Sequence, residues 1–211
     1  MKNFDLSVYL VLDPDLCREI GMVETARLAV EGGATIVQLR DKHADTAQII
    51  ETGRALKAAL AGARVPLIVN DDVEAAIAIG AAGLHVGQSD MVAAIARERI
   101  GRDMILGLSV ETEELAQRID TSVVDYVGIG PVFATVTKPD HKQPIGFDGL
   151  ARIVAAAPVP AVAIGGVKAE HAGPALAAGA RGIAVVSAIC GQPDPKAAAR
   201  RIAEEIERAR A

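Results

Sequence analysis

The sequence is poor in aromatic residues, and this limits the kinds of protein it can encode. Only 2% of its 211 residues are aromatic, and tryptophan is absent. A core without many rings has to be built from Ala, Val, Ile and Leu, as barrel interiors often are. The scarcity of rings also argues against a protein that stacks the bases of single-stranded nucleic acid.

Charge and hydropathy exclude two further kinds of partner. The net charge is −5, from 22 basic and 27 acidic residues, without a basic stripe. We expect no nucleic-acid binding, because release of counterions from phosphates needs clustered Lys and Arg. No apolar run reaches about 18 residues, the rough length that spans a bilayer. Since the start of the chain also lacks a signal-peptide layout, we expect no membrane partner.

Cysteine is scarce as well. Cys17 and Cys190 are far apart in the sequence and have no partners at metal-binding spacing. We interpret both as reduced thiols, which predicts a cytoplasmic protein. The oligomeric state stays open, with a homodimer as one alternative.

Short β-branched runs alternate with Ala-rich helical stretches along the chain. The runs are almost continuously apolar, which is typical of parallel strands covered on both faces. Eight of them predict strands, namely Val8–Asp13, Thr35–Arg40, Leu67–Asn70, Gly83–Val86, Ile105–Ser109, Tyr126–Gly130, Ala161–Gly165 and Ile183–Ser187. Helical patterns between them include Thr46–Leu60, Val73–Ile79, Glu111–Ile119 and Glu170–Ala177.

This alternation predicts an α/β protein, a single (β/α)8 TIM barrel that occupies residues 1–211 as one domain. An open doubly wound sheet would have the same local pattern. Its site, however, would lie at a switch point served by few strands. Polar segments follow all but the first predicted strand, and this favours the closed barrel.

Positive charge follows the second predicted strand. Gln38, Arg40 and Lys42 alternate onto one side of the strand end. Arg offers a planar fork of donors and Lys a mobile charge, and both suit phosphate. The alternative is a charged strand end that pairs with Asp41 and the following helix.

Carboxylates follow the third and fourth strands. Asp71 and Asp90 could lie close together, and adjacent carboxylates repel unless a divalent cation lies between them. Mg²⁺ takes one or two protein carboxylates plus phosphate oxygens. The alternative for both residues is helix N-capping, the role that we expect for Asp72. Ser109, near the end of the fifth strand, could donate to a phosphate or cap the next helix.

The stretch after the sixth strand is the strongest single signal. Residues 128–140 include Thr135, Thr137 and Lys138. A loop of this length in a compact domain is usually functional, and it could act as a lid that excludes water. A disordered insertion is the alternative, but it fits poorly with residues 131–133, which we expect to be anchored.

The loops after the last two strands complete the rim. Gly165 and Gly166 offer backbone N–H groups that an anion could approach without a Cβ in the way. Val186 and Ser187 follow the eighth strand, and loops at these positions often bind phosphate in barrels. His85, inside the fourth strand, is expected to be a core or rim histidine with satisfied hydrogen bonds.

Six motifs, in this order, resemble the thiamine phosphate synthase family over nearly the whole chain. They are Gln-Leu-Arg-Asp-Lys (38–42), Ile-Val-Asn-Asp (68–71), Gly-Leu-His-Val-Gly-Gln-Ser-Asp (83–90), Gly-Ile-Gly-Pro-Val-Phe-x-Thr-x-Thr-Lys (128–138), Ala-Ile-Gly-Gly (163–166) and Val-Val-Ser-Ala-Ile (185–189). Each motif is weak alone, and their order makes the signal specific. Asp41 stands where the family more often has glutamate, and residues 139–144 are less typical.

The resemblance implies a barrel that joins a hydroxymethylpyrimidine diphosphate to a thiazole phosphate and releases diphosphate. It implies pyrimidine diphosphate contacts from Gln38, Arg40, Lys42, Asn70, Ser109 and Lys138, magnesium ligation by Asp71 and Asp90, and thiazole phosphate contacts from Thr135, Thr137, Gly166, Val186 and Ser187. The implied catalytic residues are Arg40, Lys42, Ser109 and Lys138. The family is thought to react through a pyrimidine carbocation, so no general base is required.

Two other functions remain as alternatives. A thiazole tautomerase of the same superfamily needs neither diphosphate nor magnesium, and a non-catalytic barrel could bind a phosphorylated ligand as a sensor. The full set of cations and carboxylates favours the synthase.

Overall fold

The protein structure is a computed structural model that describes residues 2, 4–135 and 143–211. Its strands β1 to β8 are Val8–Val11, Ile36–Leu39, Leu67–Asn70, Gly83–Val86, Ile105–Val110, Tyr126–Ile129, Ala161–Ile164 and Ile183–Val185. Its helices α1 to α8 are Met22–Glu31, Thr46–Ala59, Val73–Ile79, Ala93–Ile100, Glu113–Gln117, Gly146–Ala156, Ala172–Ala177 and Pro195–Arg210. A 3₁₀ turn at Ala169–His171 precedes α7.

The strands pair in sequence order and close into a parallel barrel. Closure is made by β8 against β1, where Ile183 lies opposite Val8. The predicted (β/α)8 TIM barrel is therefore confirmed, and the open doubly wound sheet is wrong. Most predicted strands ended one or two residues too late, as in Val8–Asp13 against the observed Val8–Val11.

Buried side chains form two layers, one on each side of the barrel wall. Alternate strand residues such as Leu10 and Val69 pack outward against the helices. The intervening residues, such as Ile36 and Ile68, fill the barrel interior. Both layers consist mostly of aliphatic residues, as expected from the composition.

Local sequence signals determine where several helices begin. Asp45 and Gln48 form a reciprocal capping box at the start of α2. Asp72 caps α3 by accepting a hydrogen bond from the Ala75 N–H at 2.8 Å, so the role predicted for it is confirmed. Among residues 2, 4–135 and 143–211, no helix is both long and apolar enough to cross a membrane.

The fold brings the two cysteines together. Cys17 and Cys190 are both buried and free, as expected, and the Cys190 thiol donates to the Val11 carbonyl at 3.6 Å. The neighbouring Cys190 thiol, with Thr25 and the backbone of Asp13, lowers the pKa of Cys17 to about 7 against the opposing effect of burial.

An ion network holds the amino-terminal end of the barrel, away from the loops that follow the strands. The Asp125 carboxylate accepts hydrogen bonds from Lys2 Nζ at 2.7 Å, Arg97 Nη2 at 2.6 Å and the Leu106 N–H at 2.8 Å. Its side chain is 22% exposed and that of Arg97 only 11%. The carboxylate therefore compensates a guanidinium and a backbone donor that are largely out of water.

We expect Asp125→Ala to lower the free energy of unfolding by about 3 kcal/mol, because it leaves a mostly buried cation unpaired. Urea denaturation would measure this. Asp15→Ala is the matched control, since Asp15 and Arg18 form a pair that is 65% and 78% exposed and should contribute less than about 1 kcal/mol. Equal losses in the two variants would contradict the structural role of Asp125.

Candidate active site

A cavity of about 510 Å³ opens at the carboxyl ends of the strands. This volume lies within the range of small-molecule sites, about 300–1,000 Å³. Every strand contributes to its lining, with Tyr9, Gln38, Asn70, His85, Ser109, Gly128, Ile164 and Ala184 in order from β1 to β8. A closed barrel makes this possible because the ends of all its strands converge on one rim.

The cavity brings together most of the predicted site residues. Its lining includes Gln38, Arg40, Lys42, Asn70, Asp71, Asp90, Ser109, Thr135, Gly166, Val186 and Ser187. Thr137, Lys138 and the rest of the predicted lid after Thr135 lie outside the described residues. Placement in one cavity is what the predicted roles require, and the roles themselves stay predictions.

The two cations that follow β2 lie close to carboxylates that follow the neighbouring strands β1 and β3. Arg40 Nη1 is 4.0 Å from Asp13 Oδ2, and the charges of Lys42 and Arg40 both act to lower the pKa of Asp71. Asp41 instead accepts hydrogen bonds from the backbone N–H groups of the loop that follows it. Among the described residues, the charged strand end therefore does not pair with Asp41, as the alternative required.

Asp71 is held in an unusual backbone conformation. It is the one non-glycine residue among those described with a positive φ, 62°, and its N–H donates to the His85 carbonyl at 2.9 Å. Asn70 Nδ2 donates to Asp71 Oδ2 at 2.6 Å. Left-handed backbone is costly for residues with a Cβ and is frequent at functional sites. Neighbouring groups therefore hold this carboxylate toward the cavity.

The capping alternatives for Asp71, Asp90 and Ser109 are wrong. Asp90 accepts from the Gly87 N–H at 2.7 Å, within its own loop, and Ser109 lies inside β5. The helices that follow have other N-cap residues, which are Asp72, Val92 and Thr112. All three polar side chains are thus available to the cavity that they line.

Asp71 and Asp90 form a repelling carboxyl pair. Burial, and next the adjacent Asp90 carboxyl, raise the pKa of Asp71 to about 7. A divalent cation between the two groups would relieve this repulsion. In the part of the chain that the structure describes, no group of three or more His, Cys, Asp and Glu could hold a metal. A cation here would take its other ligands from phosphate or water, which fits the habit of Mg²⁺.

Hydrogen-bonding side chains form a continuous chain beneath the cavity. Gln38 Nε2 donates to the Tyr9 hydroxyl at 2.7 Å, and the Tyr9 and Tyr126 hydroxyls are 2.7 Å apart. His85 Nδ1 lies 3.0 Å from the Tyr126 hydroxyl, and His85 Nε2 lies 3.0 Å from Ser109 Oγ. The expectation of a satisfied histidine is confirmed.

The loop after β6 is anchored on β7 at its start. The Val132 N–H donates to the Ile164 carbonyl and the Phe133 N–H to the Gly165 carbonyl, each at 2.9 Å. This confirms the predicted anchoring of residues 131–133. A Cβ on Gly166 would lie 2.7 Å from the Ala134 carbonyl oxygen. Close approach of the loop is therefore itself a reason for glycine here, beside the predicted approach of an anion.

Sequence reasoning missed two residues, one within β1 and one just after it. Tyr9 lines the cavity, and Asp13 is the ion partner of Arg40. One signal was available for the first of them, since Tyr9 and Tyr126 are the two tyrosines of the chain and both fall inside predicted strands. A phenol in a barrel interior needs a hydrogen-bond partner, which indicates a polar feature there.

The fold and the cavity together define a class of protein. A (β/α)8 barrel that gathers Arg, Lys and a carboxyl pair at the carboxyl ends of its strands is a barrel enzyme for phosphorylated small molecules.

Comparison with known proteins identifies the family. The thiamine monophosphate synthase family model matches residues 8–189. Thiamine-phosphate synthase of Psychrobacter sp. (strain PRwf-1) is 49% identical over 199 residues, 92% of each chain, and that of Azorhizobium caulinodans is 48% identical over 207 residues, 98% of each. The solved structure of thiamine phosphate pyrophosphorylase from Pyrococcus furiosus has a TM-score of 0.88 at 35% identity, covering 98% of each chain. The chain therefore belongs to the thiamine monophosphate synthase family and is an enzyme, a transferase.

We expect Gly166→Ala to destabilise the protein more than Gly146→Ala. The two glycines have similar φ values, 65° and 63°, but a Cβ on Gly146 would meet nothing within 4 Å. Gly146→Ala should cost about 1–2 kcal/mol from backbone strain alone, and Gly166→Ala about 1–3 kcal/mol more from overpacking. Urea denaturation measures both, and equal losses would contradict the close contact of this loop with Gly166.

The raised pKa of Asp71 predicts a pH dependence of stability without metal. Between about pH 4, where an ordinary Asp ionises, and pH 7, the folded state holds a proton that the unfolded chain has lost. Stability should therefore fall as pH rises through this window and level off above it. In Asp90→Asn the loss of stability with rising pH should be smaller, because the Asp90 charge no longer raises the pKa of Asp71. Urea denaturation with a chelator at pH 5 and pH 8 tests this, and an identical fall in both proteins would contradict the pairing.

Proposed function

We propose that the protein condenses 4-amino-5-hydroxymethyl-2-methylpyrimidine diphosphate with a thiazole phosphate, giving thiamine monophosphate and diphosphate, with Mg²⁺ as cofactor. One observation carries the proposal. Arg40 and Lys42 lie beside the repelling pair Asp71 and Asp90 in a single cavity. A leaving diphosphate needs positive charge and a divalent cation, and this cavity has residues suited to supply the one and hold the other. The family to which the chain belongs gives further support.

The cations would act on the leaving group. When the bond between the pyrimidine methylene carbon and the diphosphate oxygen breaks, the electron pair leaves with diphosphate. Arg40 can donate two parallel hydrogen bonds to it, and Lys42 adds a point charge. Both interactions strengthen as negative charge develops, so they lower the barrier rather than only tightening binding. Lys138 is predicted to act in the same way.

Asp71 and Asp90 would hold the metal ion. When bound, Mg²⁺ would neutralise charge on the departing diphosphate. The chain orients these carboxylates through the Asn70 amide and the Gly87 N–H, which donate to them at 2.6 Å and 2.7 Å. Such outer contacts commonly tune metal affinity.

The other wall of the cavity suits the thiazole phosphate. Gly166, Val186 and Ser187 offer backbone N–H groups and a hydroxyl, with Thr135 at the loop, and Thr137 is predicted to join them. The thiazole nitrogen would form the C–N bond with its own lone pair, so no side chain has to remove a proton. Apolar neighbours such as Val162 limit the access of water to a pyrimidine carbocation.

The two alternative functions, a thiazole tautomerase and a sensor, explain only part of this site. Neither needs a diphosphate, so neither accounts for two cations beside a carboxyl pair. A homodimer and a cytoplasmic location stay predictions from the sequence.

An assay of diphosphate release tests the proposal. With both substrates and Mg²⁺ present we expect release, and omission of any one of the three should abolish it. Asp90→Ala should reduce release at least about 100-fold, because a few kcal/mol of transition-state stabilisation is lost, while circular dichroism stays native.

Asp72→Ala is the matched control, one residue from Asp71. It removes a helix cap worth about 1 kcal/mol but should keep full dependence on Mg²⁺. Full activity of Asp90→Ala would contradict the metal assignment. Failure of the wild-type protein to release diphosphate, with thiazole phosphate still bound, would favour the tautomerase or the sensor.

A further inference from the structure

The hydrogen-bonded side chains beneath the cavity connect two groups that line it, the Gln38 amide and the Ser109 hydroxyl. The chain of hydrogen bonds begins at Gln38 on β2, passes through Tyr9, Tyr126 and His85, and ends at Ser109 on β5. Tyr9 is 1% exposed, Tyr126 is fully buried, and Gln38 and Ser109 line the cavity. No side-chain polar atom buried in the described part of the protein lacks a partner. The hydrogen-bonded side chains from Gln38 to Ser109 thus form a fully satisfied polar network inside the barrel.

Proton counting gives the chain a direction. Burial raises the pKa of both tyrosines, so each stays neutral and has one proton to donate. Gln38 Nε2 donates to the Tyr9 hydroxyl. Every proton along the chain then has an acceptor when Tyr9 donates to Tyr126 and Tyr126 donates to His85 Nδ1, across contacts of 2.7 Å and 3.0 Å. With Nδ1 as the acceptor, the imidazole proton lies on His85 Nε2 and is donated to Ser109 Oγ.

This direction determines what the two ends offer to a ligand. Gln38 keeps its carbonyl oxygen as an acceptor, and Ser109 keeps its own hydroxyl proton as a donor. A reversed chain would start at Ser109 and end on the Gln38 carbonyl oxygen, which exchanges the two roles. Since each link depends on the next, one end cannot reverse alone without breaking a buried hydrogen bond, which is costly.

Gly107 on β5 makes room for the central link. A Cβ at this position would overlap both the Tyr126 ring and His85 Nδ1. The absence of a side chain at Gly107 therefore allows the phenol and the imidazole to meet.

We propose that Tyr9, Tyr126 and His85 are positioning residues that set the hydrogen-bond polarity of Gln38 and Ser109, and thereby select an aminopyrimidine over its oxo counterpart. An exocyclic amino group donates and the adjacent ring nitrogen accepts, which matches the Gln38 carbonyl and the Ser109 hydroxyl. The oxo ring presents an acceptor beside a ring N–H, so it would require the reversed chain. This inference rests on the proposed function.

The first test compares kcat/KM for the 4-amino and 4-oxo pyrimidine diphosphates. The wild-type protein should prefer the amino compound by at least about 100-fold, since buried groups left unpaired by the wrong ligand are costly. Tyr126→Phe removes the middle hydroxyl. The Gln38 amide or the Ser109 hydroxyl can then exchange its donor and acceptor roles independently of the other. The preference should then fall at least about tenfold, because a mismatched end no longer breaks buried hydrogen bonds along the chain.

Thr35→Val is the control for a purely structural effect. It removes a barrel hydroxyl that bonds the Val8 backbone at 3.0 Å and 3.1 Å and has no part in the chain. It should lower stability and leave the preference unchanged. An unchanged preference in folded Tyr126→Phe would overturn the inference, as would an equal loss in Thr35→Val.

The second test does not depend on turnover. Nitrogen-15 NMR of the histidine side chains at pH 8, with His85 assigned by its loss in His85→Gln, reports which ring nitrogen carries the proton. We expect Nε2–H, and an Nδ1–H tautomer would overturn the stated direction. Failure of the proposed function would appear separately, as wild-type protein that releases no diphosphate from the amino substrate.

Discussion

The backbone hydrogen bonds between β8 and β1 are the interaction on which the other features of the molecule depend. β8 has only three residues, Ile183–Val185, and these pair with Val8, Tyr9 and Leu10 of β1. Their pairing removes the two exposed edges that an open sheet would have. It also brings Tyr9 and Ala184 onto one cavity wall, next to residues that come from all the other strands. Because the strands are parallel, closure directs every following loop to the same rim, where the charged groups meet.

The interior of this barrel is partly polar and partly open, although such interiors are usually packed with branched aliphatic side chains. Small residues at Gly128 and Ala184 leave space for the cavity to extend between the strands. Buried hydroxyls would be costly without partners, and the chain from Gln38 to Ser109 satisfies them. The same low dielectric strengthens the repulsion between the Asp71 and Asp90 carboxyls at the rim. The protein therefore combines a satisfied polar floor with a rim whose two carboxyl groups repel each other.

Much of the fold and part of the site could be predicted from local sequence. Apolar β-branched runs that alternate with helical patterns indicated the strands, because burial on both faces leaves no polar alternation in them. Positions directly after strands indicated the rim, since a barrel collects its loops on one side. Helix starts were less predictable. Asp90 and Ser109 resemble N-caps in sequence, but α4 begins only at Ala93, and α5 begins at Glu113 after Thr112, which caps it.

By itself, the sequence determined the alternation of strands and helices, the segments that reach the rim and, through six ordered motifs, the family. Only the tertiary structure decided which of these groups touch. The raised pKa of Asp71 needs the Asp90 carboxyl from the next strand, and the hydrogen bond between Tyr9 and Tyr126 joins residues on β1 and β6. Such contacts leave no local pattern, because they depend on distances through space between residues that are remote along the chain.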